Sequence, residues 1–373
     1  MSKLTVLQTP VRFSPAIGGV EKYVLELSKD LVAGGDEVIV VSADEPHANS
    51  PAKINGITSI RLPFKTKVAN TNITPHLFKA LKAQKFDVLH THIPTPWSAD
   101  ISALVSLVKR KPLVVTYHND LVGDGIGGLI AKAYNATLLH FVLWRAKKII
   151  ITQEKYLEYS AHLKRHRRKV AVVPLGVNEP QKFSVKRDQN QLFFMSVLDK
   201  YHEYKGLDVL LEALAIVRKD FPKLHLVVGG KGELIEKYKA QAKELGIADS
   251  VKFLGLISDE ERDKAYAASG AFVLPSTNSL EGFGIVALEA LTYGTPVITT
   301  SLAGSSAYIK AHDAGVVVPP KDVKALADAL RTLCKDPGKA REMGEKGRAF
   351  AAKEFSWKAI AAQMHHIYEE AGA

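Results

Sequence analysis

Residues 276–300 read STNSLEGFGIVALEALTYGTPVITT, and the order of residue types predicts a loop, a helix, a turn and a strand. The apolar run 271–274 before them is closed by Pro275 and predicts a buried parallel strand. Polar residues 276–279 leave the sheet, and the turn Gly282-Phe283-Gly284 precedes the helix. Gly294 ends that helix, and Pro296 precedes the strand 297–300. This alternation predicts an α/β protein with a parallel sheet.

The glycine turn and two nearby carboxylates predict a site for a ligand that carries both phosphate and hydroxyl groups. Free backbone N–H groups and the helix dipole favour an anion at a helix N-terminus, and glycine lets a phosphate approach the backbone closely. Glu281 precedes the helix and Glu289 lies inside it. Carboxylates accept strong hydrogen bonds from hydroxyl groups, so each can hold a different part of one ligand. The combination favours a sugar nucleotide.

The first half of the chain begins with a strand, a glycine-containing loop, a helix and a second strand. The loop carries Gly18 and Gly19, which do not form the G-x-G-x-x-G pattern of dinucleotide-binding proteins. Residues 123–128, GDGIGG, predict a flexible loop before a long apolar helix that ends near Arg145. Strands are predicted at 4–8, 37–42, 57–63 (an edge strand), 87–92, 113–118, 148–152 and 170–174, with a helix at 20–32.

The second half repeats this alternation, and 373 residues are too many for one ordinary core. The polar, charged segment 182–190 predicts a linker, which gives domains at 1–182 and 183–355. Predicted strands lie at 192–197, 224–229, 251–254 and 316–319, and predicted helices at 207–218, 259–268, 323–335 and 337–352, followed by a final helix from about residue 356.

Three histidines, His90, His92 and His118, come at predicted carboxyl ends of strands, and Asp120 follows them. Ligands of open α/β sheets bind beyond these ends. A metal site is one interpretation of three histidines. It is the weaker one, because no acidic or thiol partner is spaced with them. His92 and Asp120 are candidates for the acceptor side of a site, and a structural role for His90 or His92 is the alternative.

The two glutamates stand seven residues apart in EGFGIVALEALTYGTPV. With the FG turn, the ALEAL helix and the G-x-P-V strand entry, the pattern resembles the retaining glycosyltransferases of glycosyltransferase family 4. The resemblance implies the GT-B fold: an α/β class with two Rossmann-like, doubly wound parallel-sheet domains that face a cleft. The domain 1–182 would bind the acceptor and the domain 183–355 the nucleotide sugar, with the helix 356–373 crossing back to the first. An acidic surface helix after an ordinary βα loop is the alternative.

By this resemblance, residues of both domains handle the donor. His118, in Thr116-x-His118, lies at the reactive end of the sugar, and Glu281 contacts the sugar ring. Glu289 takes the ribose hydroxyls, and Lys205, in Lys205-Gly206, neutralises the diphosphate. The expected catalytic residues are therefore His118, Lys205 and Glu281. The other expected donor-binding residues are Gly18, Gly19, Ser196, Lys200, Leu254, Phe283, Gly284 and Ile285.

The chain departs from the family pattern at one position of the diphosphate site. Where the family has an arginine at the end of a strand, this chain has Val197. Lys205 still supplies a compact positive charge. Lys200 and His202, in the segment 199–204, are candidates for the missing donor. The substitution puts the strength and geometry of diphosphate binding in question.

The net charge of +11 lies entirely in the first half of the chain. Residues 1–185 hold 25 Lys and Arg against 14 Asp and Glu, whereas residues 186–373 hold 25 of each. The densest basic run is 163–169, LKRHRRK. It favours an anionic lipid surface over nucleic acid, because no stacking aromatics interleave with the basic runs. A solvated basic face without a partner is the equally weighted alternative.

The composition and the motifs that are absent bear on where the protein works and on whether it needs a cofactor. No apolar run reaches the ~20 residues that span a bilayer, the first residues predict a strand and no signal peptide, and the one cysteine, Cys334, fits a reducing compartment. We therefore expect a cytoplasmic or inner-membrane-associated enzyme. No D-x-D occurs, so neither a metal nor another cofactor is expected.

The predicted reaction is transfer of a hexose-type sugar from a UDP- or GDP-sugar, with retention, to a lipid-linked or polysaccharide acceptor. A sugar-nucleotide epimerase is an alternative that the glutamate pair disfavours. A pyridoxal-phosphate phosphorylase would need a Schiff-base lysine and a much longer chain. A catalytically impaired scaffold or peripheral membrane protein is the third alternative, and only Val197 favours it.

Overall fold

The computed structural model describes residues 2–47, 52–68, 71–121, 125–154, 156–278 and 280–373. The chain divides into two compact units. The first contains the residues up to Gly176 together with Trp357–Ala373, and the second is Val177–Ser356. The first crossing between the units thus lies six residues before the division at 182 that the sequence suggested.

The first unit is built on one mainly parallel sheet. Its elements are β1 (Thr5–Thr9), α1 (Gly19–Ala33), β2 (Glu37–Ala43), β3 (Lys53–Ile54), β4 (Ile57–Leu62), β5 (Thr66–Val68), β6 (Thr71–Ile73), α2 (Leu77–Ala83), β7 (Val88–Ile93), α3 (Ser98–Lys109), β8 (Leu113–Tyr117), α4 (Gly125–Ala136), α5 (Leu138–Arg145), β9 (Lys148–Ile151), α6 (Tyr156–Tyr159), α7 (Ala161–Lys164) and β10 (Val170–Val172). Within the described residues the strand order is β10-β9-β8-β7-β1-β2-β4-β3. Among the described strands of this sheet, β3 and β4 pair antiparallel and the others parallel, and β5 and β6 form a separate antiparallel hairpin.

The second unit has the strand order typical of doubly wound sheets. Its elements are β11 (Asp188–Met195), α8 (Leu207–Val217), β12 (His225–Gly229), α9 (Ile235–Glu244), β13 (Val251–Gly255), α10 (Asp259–Ala268), β14 (Ser269–Leu274), α11 (Ile285–Thr292), β15 (Val297–Thr300), α12 (Ser306–Ala311), β16 (Gly315–Val318), α13 (Val323–Lys335) and α14 (Pro337–Glu354). Among the described strands the order is β13-β12-β11-β14-β15-β16, all parallel. This order reverses between β11 and β14, which makes that point the expected ligand site.

The last helix, α15 (Trp357–Glu370), belongs to the first unit. Its apolar face packs with α1 over one face of the first sheet, where Ile360, Met364 and Tyr368 are fully buried beside Leu27 and Leu31. Burying each such side chain contributes roughly 2 kcal/mol. The helix is therefore part of the first core although it follows the second unit in sequence.

Two local predictions were wrong. Gly123 and Asp124 lie outside the described residues, but 125–128 begin α4 and do not form a loop. The helix is anchored downstream, where Tyr134 is buried and donates to Asp100 Oδ1 at 3.0 Å, and such packing outweighs the cost of helical glycine, about 1 kcal/mol each. The predicted linker 182–190 overlaps the start of β11, because residues 188–190 already lie in the strand.

None of the helices in the described parts of the chain is long and apolar enough to cross a membrane.

Candidate active site

The switch point of the second sheet brings together two loops that are distant in sequence. β11 and β14 are hydrogen-bonded neighbours, with Phe193 opposite Phe272. Because the strands are parallel, the segments that follow them leave at the same edge of the sheet. One is the segment that ends at Lys205-Gly206, and the other leads from Pro275 to Glu281.

The Lys205-Gly206 turn is held directly against the end of β14. Gly206 has φ +78°, and a Cβ atom at this position would lie 2.2 Å from the carbonyl oxygen of Pro275. The backbone N–H of Thr277 donates to the carbonyl of Tyr204 at 2.7 Å. Glycine at 206 is therefore required both by the left-handed backbone and by the close approach.

Lys205 and Glu281 form an ion pair at this junction. Lys205 Nζ lies 2.9 Å from Glu281 Oε1 and 2.8 Å from Oε2, and Ser276 Oγ donates to Oε2 at 2.6 Å. The side chain of Glu281 is only 3% exposed and that of Lys205 17%. Removing one partner of a buried pair costs about 3–5 kcal/mol, because the other charge is left uncompensated. Three polar groups are thus fixed at one point by two loops.

The N-terminus of α11 lies in the same loop as Glu281. Gly284 precedes the helix with φ +73°, and no side chain caps it. The turn is held by a second loop, since Gly304 and Ser305 donate their N–H groups to the carbonyls of Gly282 and Phe283, each at 2.9 Å. An anion at an uncapped helix N-terminus is stabilised by about 0.3–1 kcal/mol. The loop therefore presents an anion-binding end beside the ion pair.

Glu289 faces a different set of partners. It lies in the second turn of α11, where Tyr266 Oη donates to its Oε2 at 3.2 Å. Burial, together with the Glu289 carboxylate, raises the pKa of Tyr266 well above its usual value. Burial alone would lower the pKa of Arg262, but the nearby Glu289 and Asp263 carboxylates raise it. Glu289 thus lies beside Tyr266 and Arg262, whereas Glu281 pairs with Lys205.

Val197 is 48% exposed and lies in a segment that contacts the loop after β12. Leu198 N donates to the carbonyl of Lys231 at 2.9 Å, and a Cβ atom on Gly230 would lie 1.7 Å from the carbonyl oxygen of Ser196. Lys231 is exposed. It is therefore a lysine beside the position where the family has an arginine, and the sequence alone gave no reason to select it.

The two predicted substitutes for that arginine have other contacts. Lys200 is exposed, and its Nζ lies 5.1 Å from the centroid of the Tyr201 ring. His202 Nδ1 lies 2.7 Å from Asp199 Oδ1, which also accepts the backbone N–H groups of Tyr201 and His202. The imidazole therefore helps to close a local turn.

Two further predicted donor-binding residues lie in strand ends or loops of this unit. Ser196 donates its hydroxyl to the carbonyl of Val197 at 2.9 Å. Leu254 is half-buried in β13, whose last residue, Gly255, accepts the N–H of Gly230 at 2.8 Å. Both positions follow from the topology of the sheet, and neither side chain contacts the ion pair of Lys205 and Glu281.

The glycine loop of the first unit has a carboxylate of its own. A Cβ atom on Gly18 would lie 2.1 Å from Glu21 Oε2, and Arg12 Nε donates to Glu21 Oε1 at 3.0 Å. Gly18 is therefore needed for space, whereas Gly19, the first residue of α1, has nothing within 4 Å of a Cβ position. The N-terminus of α1 is already faced by an acidic side chain of the same helix.

Three histidines of the first unit form one group, in which His90 and His92 are fully buried and His118 is half-buried. His118 Nε2 and His92 Nδ1 are 3.3 Å apart, and His90 contacts Tyr368 Oη at 2.9 Å and Thr116 Oγ1 at 2.7 Å. Burial lowers the pKa of His118 to about 4, that of His90 to about 3 and that of His92 well below its usual range. The rings are therefore neutral near pH 7.

His90 was predicted at a strand end but lies in the middle of β7. Its ring contacts Tyr368 of α15, so it is part of the packing between the sheet and that helix. His92 is also fully buried, which argues against direct contact with an acceptor. Asp120 accepts the hydroxyls of Tyr117 and Ser160 and so fixes the segment after β8. Across the described residues, no three His, Cys, Asp or Glu side chains are grouped as a metal site.

Comparison with known proteins assigns the family. Residues 17–180 match Glycosyltransferase Family 4, and residues 177–350 match Glycosyl transferases group 1. The D-rhamnosyltransferase WbpZ of Pseudomonas aeruginosa is 30% identical over 347 residues, which are 90% of this chain and 88% of that protein. The chain belongs to glycosyltransferase family 4. The phosphatidyl-myo-inositol mannosyltransferase of Mycobacterium leprae is 28% identical over 94% of this chain and 93% of its own.

Similarity to solved structures shows the fold of this glycosyltransferase. Anabaena HepE, in complex with UDP and glucose, superposes with a TM-score of 0.72 at 18% sequence identity, over 98% of this chain and 100% of that chain. The predicted GT-B fold and the family resemblance are confirmed. The described residues unite Lys205 with Glu281 and His92 with His118. The sequence did not indicate Ser276, Tyr266 or Lys231, since each acquires its neighbours only in the folded sheet.

Proposed function

We propose that this glycosyltransferase moves a hexose-type sugar from a UDP- or GDP-sugar to a lipid-linked or saccharide acceptor, with retention at the anomeric carbon. The observation that carries the proposal is the buried Lys205–Glu281–Ser276 cluster beside the uncapped N-terminus of α11. It places a cation, a hydroxyl-binding carboxylate and an anion-binding helix end within one loop system.

Each part of the donor has a matching group in the second unit. The diphosphate fits the amides at Gly284 and Ile285 and the ammonium of Lys205, which stabilise the negative charge of the leaving group without reorganisation. Lys231 supplies a second cation beside Val197. Glu289 accepts hydrogen bonds from the ribose and Glu281 from the transferred sugar. In this proposal Lys205 and the amides take the role of a metal ion.

The partners of Glu281 favour binding over covalent catalysis. Its carboxylate is already engaged by an ammonium and a hydroxyl, which stabilise the charged form and weaken it as a nucleophile. A retaining glycosidase uses two carboxyl groups about 5–5.5 Å apart, whereas Glu289 is directed to Tyr266 and Arg262. We therefore assign a front-face reaction. The bond from the anomeric carbon to the phosphate oxygen breaks, the acceptor oxygen bonds to that carbon on the same face, and its proton passes to the departing phosphate.

A lipid surface suits the exposed face of the first unit. Trp144 on α5 is 60% exposed, and Leu129 and Ile130 on α4 are also exposed. Lys169 Nζ lies 3.2 Å from the carbonyl of Leu143, so the basic segment 164–169 adjoins the end of α5. Basic residues near an anionic membrane contribute roughly 1 kcal/mol each, and tryptophan favours the interface. The relatives that transfer rhamnose and mannose, one of them to phosphatidyl-myo-inositol, are consistent with a lipid-linked acceptor.

The first experiment is titration calorimetry with UDP, GDP and ADP. We expect one of UDP and GDP to bind, and Glu289→Ala to abolish the heat because the ribose loses its acceptor. Glu236→Ala, at an exposed glutamate of α9, is the matched control and should bind as the wild type does. Failure of all three nucleotides to bind would refute the donor site.

The same protein preparation tests the stereochemistry of the transfer and whether the reaction needs a metal ion. With the nucleotide sugar identified, proton NMR of the product should show the anomeric configuration of the donor, and inversion would refute the front-face reaction. Turnover in excess EDTA should equal turnover with Mg²⁺, since Lys205 and the helix end carry the charge. A strict requirement for the metal would refute that assignment.

A further inference from the structure

A chain of hydrogen bonds runs through the interior of the first unit and ends at His118. Gln8 Nε2 donates to Ser28 Oγ at 2.9 Å, His92 Nε2 lies 3.3 Å from Gln8 Oε1, and His118 Nε2 lies 3.3 Å from His92 Nδ1. Gln8, Ser28 and His92 are fully buried. No role is assigned to Gln8 or Ser28 by the donor site, and His92 does not reach the surface.

The direction of these bonds fixes where each proton lies. A neutral imidazole has one N–H donor and one acceptor nitrogen. The amide nitrogen of Gln8 is used by Ser28, so its oxygen faces His92 Nε2, which must donate. His92 Nδ1 is then the acceptor, and His118 Nε2 must donate to it. His118 Nδ1 is left as an acceptor, and within the described residues it has no hydrogen-bond partner.

Neighbouring side chains fix the positions of the His92 and His118 rings within this series of hydrogen bonds. The His92 and His118 ring planes differ by 23°, and their centroids are 5.5 Å apart. Tyr23 packs edge-on against each, with ring centroids 5.8 Å and 5.3 Å away. His90 does not compete, because both of its nitrogens are bonded to Tyr368 and Thr116. Burial keeps all three imidazoles neutral near pH 7 by lowering their pKa values.

We propose that Gln8 and His92 are positioning residues that hold His118 as the Nε2–H tautomer, with Nδ1 free to accept a hydrogen bond from a hydroxyl group of the donor sugar. The inference rests on the proposed function, sugar transfer, and on the family resemblance, which implies that His118 lies at the reactive end of the sugar. With the other tautomer, Nδ1–H would be a donor, and the same sugar hydroxyl would have to reorient or lose its partner. The buried amide of Gln8, which His92 and His118 separate from the substrate, thus determines what His118 can recognise.

Nitrogen-15 NMR of the imidazoles tests the proton positions directly. Loss of one signal set in His118→Ala assigns His118 among the 13 histidines. In the wild-type protein, Nε2 of His118 should be protonated and Nδ1 unprotonated. A predominantly Nδ1-protonated His118 in the wild type would overturn the proposal, whatever the activity.

Two substitutions at Gln8 separate the proton constraint from simple packing. Gln8→Met removes the acceptor but keeps the length of the side chain, so the His118 tautomers should mix and kcat/KM should fall about tenfold. Gln8→Glu can only accept, so it should keep the Nε2–H tautomer and most of kcat/KM. Ser106→Ala removes another fully buried hydroxyl of this unit, which donates to the carbonyl of Lys111 at 2.7 Å, and is the control for lost stability.

The outcomes distinguish this inference from the proposed function. If His118→Ala retains wild-type kcat/KM, the assignment of His118 to the donor site fails. If His118→Ala is inactive but a folded Gln8→Met keeps both the wild-type tautomer and kcat/KM, only the positioning role fails. If Gln8→Met does not fold, the His118 tautomer of the wild type and of Gln8→Glu still tests the positioning role. Loss of the Nε2–H tautomer in Gln8→Glu would contradict the proposed series of hydrogen bonds.

Discussion

The two sheets of this glycosyltransferase each carry a polar pair at the carboxyl ends of neighbouring strands, and the two pairs differ in charge. In the second unit, Lys205 and Glu281 form an ion pair that joins two loops. In the first unit, His92 and His118 share a hydrogen bond between neutral rings. Both pairs lie at the carboxyl ends of parallel strands, so the same topology supports a charged site and an uncharged one.

The difference follows from how each site is solvated. Lys205 retains some exposure, and each charge in its pair has a partner of opposite sign. Tyr23, Gln8 and the sheet surround His92, and among the described residues no carboxylate is bonded to His92 or His118, so protonation would bury an unpaired charge. A buried charge needs a counter-charge, and a buried polar ring needs only hydrogen bonds. The charged site should therefore be sensitive to charge removal and the neutral site to acid.

The largest expected effect is at the ion pair. Glu281→Gln leaves Lys205 without its carboxylate, and we expect kcat/KM to fall about 100- to 1000-fold, as when a group that stabilises the transition state is removed. Stability of the second unit should fall by about 3–5 kcal/mol, measured by chemical denaturation followed by circular dichroism. Lys205→Met combined with Glu281→Gln should recover most of the stability but none of the activity.

Glu203→Gln is the matched control for this pair. Glu203 pairs with Lys237 in the same unit, but both side chains are exposed, and such a pair contributes only about 0–1 kcal/mol. Wild-type turnover in Glu281→Gln would remove Glu281 from the reaction. Equal destabilisation by Glu203→Gln and Glu281→Gln would show that burial does not distinguish the two pairs.

The second prediction concerns acid and the first unit. His90, His92 and His118 bind a proton more weakly in the folded chain than in the unfolded chain, where the pKa is near 6.5. Below pH 6.5 the unfolded state therefore takes up protons that the folded state does not. The free energy of unfolding should fall with decreasing pH, by up to about 1.4 kcal/mol per pH unit for each histidine, until pH approaches the folded pKa values of about 3 and 4.

Tryptophan fluorescence isolates this effect, because all three tryptophans, Trp97, Trp144 and Trp357, belong to the first unit. Urea unfolding at pH 7, 6 and 5 measures the slope. His90→Gln should flatten it, whereas His47→Gln, at an exposed histidine, should leave it unchanged. A slope that His90→Gln does not alter would show that another group is responsible.

The comparison also shows what a single sequence can predict. The helices Asp259–Ala268 and Val323–Lys335 and the strand Val297–Thr300 were predicted with the observed bounds, and Ser258 and Asp322 mark the two helix starts as N-caps. Glu281 and Glu289 were found because they lie in one short motif. The contact between Lys205 and Glu281, 76 residues apart, could be expected only from the family, since it depends on β11 pairing with β14.

The residues that sequence reasoning missed acquire their roles only from tertiary neighbours. Gln8 is an ordinary polar residue in a strand until the folded sheet brings its side chain within 3.3 Å of His92, 84 residues away. Lys231 is one lysine among many until the turn at Gly230 brings its backbone against Leu198. The glycines within 125–128 led to the wrong prediction of a loop. Their local propensity favours a loop, but the packing of Tyr134 favours the helix that forms there.

The third prediction concerns the missing arginine beside the charged site. Val197→Arg should tighten binding of the nucleoside diphosphate about tenfold, equivalent to about 1.4 kcal/mol, because it adds a cation where Val197 is exposed. Lys231→Ala should weaken binding by a similar factor, and calorimetry measures both. Lys243→Ala, at a lysine of α9, is the control for net charge. If Lys231→Ala binds as tightly as the control, Lys231 does not replace the arginine.

The smallest expected effect lies on the surface of the first unit. Arg168→Ser removes one exposed cation from the basic segment beside α5, so binding to vesicles of anionic lipid should weaken about fivefold, equivalent to about 1 kcal/mol. Arg341→Ser, an exposed arginine of the second unit, is matched in charge and should have no effect. Sedimentation with anionic and neutral vesicles at moderate salt measures both variants. Equal losses of vesicle binding in Arg168→Ser and Arg341→Ser would indicate attraction by net charge alone. If the wild type does not prefer anionic over neutral vesicles, the proposal that it meets its acceptor at an anionic membrane fails.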